Sequence, residues 1–373
     1  MADKGSIFIH DNLVSHQAQR GVARSFRYIS NAIIGQFGKR VAISSTEQRD
    51  YGPARNVCAV PRRFPGSYRL GLNPILSRLA DRAASIAARH HNAGLIYCPF
   101  YGNLRSSAPQ VFTVYDMIHE LYPQYFPPDV PGFRSLIVEK RRCLERAAVL
   151  ITISESTARD ITRLYPHVNP DKIRVVHLGV ETTFFNPGSN GGPIRPYFLY
   201  IGDRKRYKNF RRLLVAFGES GLADAFQLRV ISSSCELDAA ETEVVDQYGL
   251  RSAIDLVGPV PDSSLPTHYA QASAFVCPSE YEGFGLPVIE AMASGTIVIA
   301  ANSSSLPEVG GDVPFYIDPC DPASLVRTFH QVLKLSPRER ADRIERGIAR
   351  ARTFTWERTQ RRYIEILQHC LVP

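Results

Sequence analysis

At 373 residues the chain is long for a single hydrophobic core, so two domains are the natural division. Its 44% hydrophobic and 21% charged content describes an ordinary soluble globular protein, and no apolar run approaches the roughly 18 residues of a spanning helix. The net charge of +8 is concentrated early: residues 1–185 carry 24 Lys and Arg against 14 Asp and Glu, the remainder 20 against 22.

The start, MADKGSIFIHDNLVSH, lacks an apolar core of signal-peptide length, which reads as a cytoplasmic protein. Short apolar runs then alternate with amphipathic ones. Strands are expected at Ser6–His10, Arg40–Ser44, Gly94–Cys98, Val111–Tyr115, Ala148–Ser154 and Ile173–His177. Between the first two, Val22, Phe26, Ile29 and Ile33 recur at helical spacing. A helix rich in arginine (Arg134, Arg141, Arg142, Arg146) interleaves them with Phe133, Leu136 and Ile137. The stretch NPGSNGGPIRP, residues 186–196, is rich in Gly, Pro and Asn and reads as a linker. After it the alternation restarts, with strands expected at Tyr197–Gly202, Gln227–Ser232, Ile254–Gly258, Ala274–Pro278, Thr296–Ala300 and Pro314–Asp318. The chain ends in helices, the last at about Trp356–Leu371. Near-continuous apolar strands separated by helices predict parallel sheets covered on both faces, and hence an α/β protein of two doubly wound domains with a cleft between them.

Seven scattered cysteines without a CxxC pair argue against a disulfide framework and a structural zinc site, and Cys98 and Cys277 fall in apolar runs as buried thiols. No His/Asp cluster has metal-ligand spacing. The early basic surplus suits phosphates or anionic lipid; with no reader motif or aromatic–basic array, it does not point to nucleic acid.

The most informative stretch is EYEGFGLPVIEAMASG, Glu280–Gly295, which joins a strand to a helix. Ligands of open parallel sheets gather at such strand ends. Pro287 suits the first turn of a helix, which leaves the N–H groups of Phe284, Gly285 and Leu286 to meet an anion or sugar hydroxyls. Gly283 and Gly285 allow close backbone approach. Glu282 and Glu290 are eight positions apart, and carboxylates accept hydrogen bonds from vicinal hydroxyls of a sugar or ribose.

The block from Glu280 to Val309, with YIGDRKRYKNFRRLL, ITISESTARDI and KIRVVHLGVE, resembles the retaining glycosyltransferases of family 4, which have the two-domain GT-B fold. The resemblance implies an acceptor-binding domain over 1–185, a nucleotide-sugar-binding domain over 197–355, and a C-terminal helix, 356–373, packing on the first domain. It implies that Glu290 binds the donor ribose and Glu282 the hydroxyls of the transferred sugar. The amides of Phe284, Gly285 and Leu286 meet that sugar or the diphosphate, and Lys208 matches the family's phosphate-binding lysine. A cation is needed there because the leaving diphosphate gains charge as the glycosidic bond breaks. Gly21 falls where such enzymes bring backbone N–H groups to the donor diphosphate, with Arg20 and Arg24 beside it.

Two positions depart from the family pattern. Asp203 stands where an arginine often follows the glycine, leaving Arg204 or Lys205 as the second cation. Tyr115 stands where a histidine often precedes the aspartate, leaving Asp116 as the catalytic candidate of that turn, with His119 four residues from Tyr115. Segments of this kind resemble bacterial mannosyltransferases of surface polysaccharide and lipopolysaccharide synthesis. The resemblance thus implies transfer of mannose from GDP-mannose, without a metal or other cofactor, to a saccharide or a polyprenyl-diphosphate-linked glycan. The base-reading backbone is expected at Val230–Ser234 and Val257–Pro261. A UDP-sugar donor, a GT-B sugar-nucleotide epimerase and a non-catalytic sugar-nucleotide binder remain as alternatives; a dehydrogenase is disfavoured because no GxGxxG follows the first strand. Anionic lipid at the inner face of the membrane is the expected partner of the basic half.

Overall fold

The computed structural model describes residues 5–11, 20–45, 55–59, 74–102, 104–126, 133–188, 195–204 and 206–371. The chain divides into two compact units, Met1–Leu178 with Trp356–Pro373, and Gly179–Thr355. The expected linker at 186–196 lies within the second unit, and residues 189–194 of it fall outside the described residues.

The first unit is built on seven parallel strands: β1 (Ile7–Asp11), β2 (Val41–Ser45), β3 (Arg55–Ala59), β4 (Leu95–Cys98), β5 (Gln110–Val114), β6 (Val149–Thr152) and β7 (Ile173–Val175), in the order β3-β2-β1-β4-β5-β6-β7. Its helices are α1 (Arg20–Phe37), α2 (Pro74–His90), the short α3 (Ile118–Leu121), α4 (Phe133–Arg146) and α5 (Glu155–Leu164). The alternation of strand side chains explains the two-sided cover. Ile7 and Ile9 of β1, with Leu95 and Tyr97 of β4, join Phe26, Ile29 and Ile33 of α1 in one core. Phe8, Ile96 and Cys98, one position out of phase, join Ala84 and Ala88 of α2, Cys143 and Leu144 of α4, and Ile161 of α5 in the other. Each such large side chain taken wholly from water contributes about 1.5–3 kcal/mol.

The second unit holds six parallel strands: β8 (Tyr197–Ile201), β9 (Gln227–Ile231), β10 (Ile254–Leu256), β11 (Ala274–Cys277), β12 (Val298–Ala301) and β13 (Phe315–Ile317), ordered β10-β9-β8-β11-β12-β13. Between and after them run α6 (Phe210–Glu219), α7 (Ala239–Gln247), α8 (Leu265–Ala270), α9 (Leu286–Ala293), α10 (Leu306–Gly310), α11 (Pro322–Leu333) and α12 (Pro337–Ala351). Both sheets are doubly wound, as the sequence predicts; β3, at the edge of the first, was not anticipated.

The last helix, α13 (Trp356–Leu371), belongs to the first unit. Its Tyr363 and Leu367 complete the core beneath α1, and Trp356 stacks on Tyr28 with ring centroids 4.4 Å apart. The Tyr363 hydroxyl lies 3.0 Å from Thr113 Oγ1, which lies 3.0 Å from the hydroxyl of Tyr97. A C-terminal helix that completes a core is structural rather than ornamental.

Candidate functional site

In a doubly wound sheet the ligand crevice opens at the carboxyl ends of the strands, where the strand order reverses. In the second unit that reversal lies between β8 and β11, which pair directly with Phe198 opposite Ala274. The chain leaving β8 makes a 3-10 turn at Arg206–Lys208, and the chain leaving β11 passes through Glu280 and Glu282 into α9. Adjacent strands therefore bring Lys208 and Glu282, 74 positions apart, to the same point.

The two connections are fastened together. The N–H of Glu280 donates to the carbonyl of Tyr207 at 2.8 Å. Asn209, buried and left-handed at φ 57°, donates through Nδ2 to the carbonyls of Pro278 and Pro319 at 3.0 and 2.9 Å. Asparagine tolerates that backbone conformation better than most residues with a Cβ.

On this base Lys208 Nζ donates to both oxygens of Glu282, at 2.7 and 2.8 Å, and the hydroxyl of Ser279 donates to Oε1 at 2.7 Å. Burial disfavours the lysine's charge, but the Glu282 carboxylate, through its charge and its hydrogen bond, together with Tyr207 more than offsets this, and the pKa is raised from 10.5. The thiol of Cys277, 4.0 Å from Glu282 Oε1, is pushed up to about 12 by burial and then by that carboxylate. It is an inert thiol beside a held ion pair.

The other two carboxylates of the stretch have different partners. Glu280 accepts from Arg212 Nη1 at 2.6 Å, bracing the loop. Glu290 is 3% exposed and accepts from the Tyr269 hydroxyl at 3.0 Å. Gly285 has φ +99°, and a Cβ there would stand 2.7 Å from Leu306 Cδ2, so conformation and space both call for glycine. It is the N-cap of α9, with Pro287 in the first turn and Leu286 buried at its start. The first N–H groups of any helix lack intrahelical acceptors, which makes this end a place for an anion or hydroxyls. Phe284 is buried, edge-on to Phe354 with centroids 5.8 Å apart.

Arg204, expected as a second cation for the donor, is otherwise engaged. Its Nε donates to both oxygens of Glu241, at 3.0 and 3.1 Å, and its Nη1 to Ser232 Oγ and the carbonyl of Ser234 at 2.7 and 2.9 Å. Its Nη2 donates to the carbonyl of Glu236. Glu241 meanwhile closes a capping box with Asp238 at the start of α7. Arg204 thus braces the loop after β9, and Asp203 accepts from Ser233 Oγ at 3.1 Å in the same loop. The second expected base-reading segment meets that loop, since a Cβ at Gly258 (φ +73°) would lie 2.3 Å from Cys235 Sγ. Lys205 lies outside the described residues.

Gly21 and Asp116 belong to the first unit. Gly21 is the second residue of α1, and its carbonyl accepts from Ser25 Oγ at 2.8 Å. The side chain of Arg20 lies outside the described residues. Asp116 follows β5; its Oδ1 accepts from the N–H of Ile118 at 3.2 Å and its carbonyl from Lys140 Nζ at 3.2 Å. Tyr115 is buried, and among the described residues its hydroxyl has no hydrogen-bond partner. Burial, then Tyr363 and Asp11, hold its pKa well above 10.0. His119, on α3, packs on the rings of Phe126 and Phe133 at 4.5 and 5.8 Å.

Several polar residues at these strand ends carry no signal in the sequence. His10 lies 2.8 Å from Ser44 and 2.9 Å from Asp81, all three buried, through contacts spanning 34 and 71 positions. Arg212 and Tyr269 hold Glu280 and Glu290 across 68 and 21 positions, whereas Ser279 holds Glu282 from three positions away.

Residues 182–350 match the family model described as "Glycosyl transferases group 1", and residues 19–184 the model "Glycosyltransferase Family 4". The chain is 34% identical over 262 residues to the O-antigen chain mannosyltransferase B of Escherichia coli, covering 66% of this chain and 67% of that protein. It is 28% identical over 215 residues to the O-antigen chain mannosyltransferase RfbU of Salmonella typhimurium, 58% of each. The sucrose-phosphate synthase of Thermosynechococcus elongatus superposes over 98% of both chains with a TM-score of 0.77 at 18% identity, which speaks to the shared fold alone.

Proposed function

From the premise that this chain belongs to the family 4 glycosyltransferases and has the GT-B fold, we propose that it transfers mannose from GDP-mannose, with retention, to a growing surface glycan. The observation that carries this reading is the Lys208–Glu282 pair at the strand-order reversal of the second unit, beside the N-terminus of α9. The mannosyltransferase relatives support the choice of sugar.

In this reading Lys208 meets the donor diphosphate. As the anomeric carbon–oxygen bond breaks, the diphosphate gains charge, and a cation already in place stabilises that change without reorganising. The acceptor hydroxyl bonds to the anomeric carbon and its proton leaves with the diphosphate oxygen. Glu282 receives the sugar hydroxyls, Glu290 the ribose, and the N–H groups at the start of α9 the sugar or diphosphate. Gly21 and Asp116 are the corresponding positions of the acceptor-binding unit. Phosphate charge is taken by lysine and amides, so turnover is expected to survive chelation of divalent metal. Among the described residues no group of three or more His, Cys, Asp and Glu is placed to hold a metal ion.

The acceptor we propose is a saccharide or a polyprenyl-diphosphate-linked glycan, met by the basic unit against anionic lipid. No described helix is long and apolar enough to cross a membrane. The exposed large apolar side chains Leu79, Ile86 and Val138 lie on α2 and α4 of that unit. On α2, Leu79, Arg82, Ile86 and Arg89 follow helical spacing and are all exposed; on α4, Arg134, Val138, Arg141 and Arg142 are likewise exposed. Such a surface suits peripheral contact that weakens as salt rises, because charges are screened over about 8 Å at physiological ionic strength.

The test is a thermal-shift panel of nucleoside diphosphates followed by turnover of the matching nucleotide-sugars, with and without acceptor. GDP at a hundred times its dissociation constant should raise stability by about 2.7 kcal/mol. A shift with UDP alone overturns the donor, isomerised sugar marks an epimerase, and binding without turnover marks a non-catalytic relative.

A further inference from the structure

After β12 comes a run of three serines, and each turns its hydroxyl onto the loop that carries Glu282. Ser303 Oγ donates to the carbonyl of Ser279 at 2.9 Å. Ser304 Oγ accepts from the N–H of Glu282 at 2.8 Å, and Ser305 Oγ donates to the carbonyl of Glu282 at 2.8 Å.

Two of these serines depart from their local preference to do so. Ser304 has φ +48°, a left-handed conformation that residues with a Cβ seldom adopt. Ser305 is the N-cap of α10, where a serine hydroxyl ordinarily accepts from the first turn of its own helix. Its side chain makes no such cap, and it is fully buried against Glu282 instead. Both departures serve one residue. Glu282 is thus held through its backbone N–H and carbonyl by Ser304 and Ser305, and through its carboxylate by Ser279 and Lys208.

We propose that Ser304 and Ser305 are positioning residues, which hold the backbone of Glu282 so that its carboxylate keeps its place when a donor diphosphate competes for Lys208. The side-chain grip is shared by Lys208 and Ser279, so it weakens when Lys208 turns to a diphosphate; the backbone grip uses neither residue. This inference rests on the reading of Glu282 as the residue that receives the donor sugar.

The experiment compares Ser304→Gly, Ser304→Asn, Ser305→Ala, Ser305→Thr and Glu282→Gln by release of GDP from GDP-mannose, or from whichever nucleotide-sugar of the panel turns over fastest. Affinity for the nucleoside diphosphate and melting temperature are measured beside it. Glycine accommodates the left-handed backbone while removing the hydroxymethyl group, so it tests the grip where Ser305→Ala fails to fold. Ser304→Gly and Ser305→Ala should each lower kcat by about tenfold or more, since small displacements at a reacting centre are costly. Nucleoside diphosphate affinity should stay within about twofold of wild type, because the displaced residue is assigned to the sugar. Ser305→Thr, which keeps a hydroxyl, and Ser304→Asn, which tolerates the conformation and offers an acceptor, should recover most of the rate. Wild-type kcat in Ser304→Gly and Ser305→Ala beside an impaired Glu282→Gln overturns the clamp and leaves Glu282 in place. Full activity in Glu282→Gln removes the reading of Glu282 and the clamp's role with it. Loss of rate and nucleotide affinity in equal measure marks a general loosening and also overturns the proposal.

Discussion

Lys208→Ala separates what the ion pair does for the fold from what it does for the reaction. The lysine side chain is 21% exposed and that of Glu282 14%, so the pair lies between a surface pair and a fully buried one. Breaking a buried pair costs about 3–5 kcal/mol and breaking an exposed one about 0–1 kcal/mol. With Ser279 still donating to the carboxylate, a loss of about 2 kcal/mol is the reasonable intermediate. For a unit of this size that lowers the melting temperature by roughly 4–8 °C. Turnover should fall further, by about a hundredfold or more, because the cation is also lost at the leaving diphosphate. The stability difference between wild type and variant has a defined pH window. A lysine whose pKa is raised by folding stabilises fully below its ordinary value of 10.5, and the contribution is lost as pH rises through the higher folded value. Urea unfolding at pH 7 and pH 9 should therefore give the same difference, and above pH 10.5 the difference should shrink. Circular dichroism, urea midpoints and diphosphate release together make the assay. Native-like spectra with full turnover would remove Lys208 from the donor site, while turnover lost only in proportion to unfolded protein would reduce it to a structural brace.

Glu282→Gln should impair transfer with little change in nucleoside diphosphate affinity, whereas Glu290→Gln should weaken that affinity through the ribose; calorimetry showing unchanged affinity in Glu290→Gln contradicts the division. Arg204→Ala should weaken nucleotide binding by loosening the loop at Ser232–Glu236, and Arg204→Lys should rescue little, since one ammonium cannot replace three donating nitrogens. Gly258→Ala should destabilise the second unit by about 1–3 kcal/mol chiefly through strain of its left-handed backbone, because the exposed Cys235 thiol can turn away from the new Cβ, and Cys235→Ala should therefore recover little of the loss. Alkylation of the native protein should label the exposed Cys235 and Cys320 and spare Cys277, whose burial raises its pKa to about 12; rapid native labelling of Cys277 would contradict its placement.

The sheets were legible because their strands are nearly continuous apolar runs, as in the buried Leu95–Cys98 and Ala274–Cys277. The edge strand β3 escaped because Arg55 and Asn56 open it with polar residues, leaving Val57, Cys58 and Ala59 as too short a signal. Pro287 and Gly285 marked the start of α9 through backbone chemistry that is local and therefore readable. The partners of Glu280, Glu282 and Glu290 were not readable, because Arg212, Lys208 and Tyr269 reach them only once the strands are paired. Arg204 shows the limit of reading charge by position. It stands beside the phosphate segment in the sequence, yet its guanidinium serves Glu241 and the loop after β9.

GDP-mannose can be followed by proton nuclear magnetic resonance with wild-type protein, Lys208→Ala and Glu282→Gln, in the presence of a mannose-terminated acceptor, which reads donor, stereochemistry and both site residues at once. The proposed reaction requires that wild type release GDP and build a mannoside with the anomeric configuration of the donor, while both variants fall by about a hundredfold or more. Inverted product, or equal turnover in all three proteins, contradicts it.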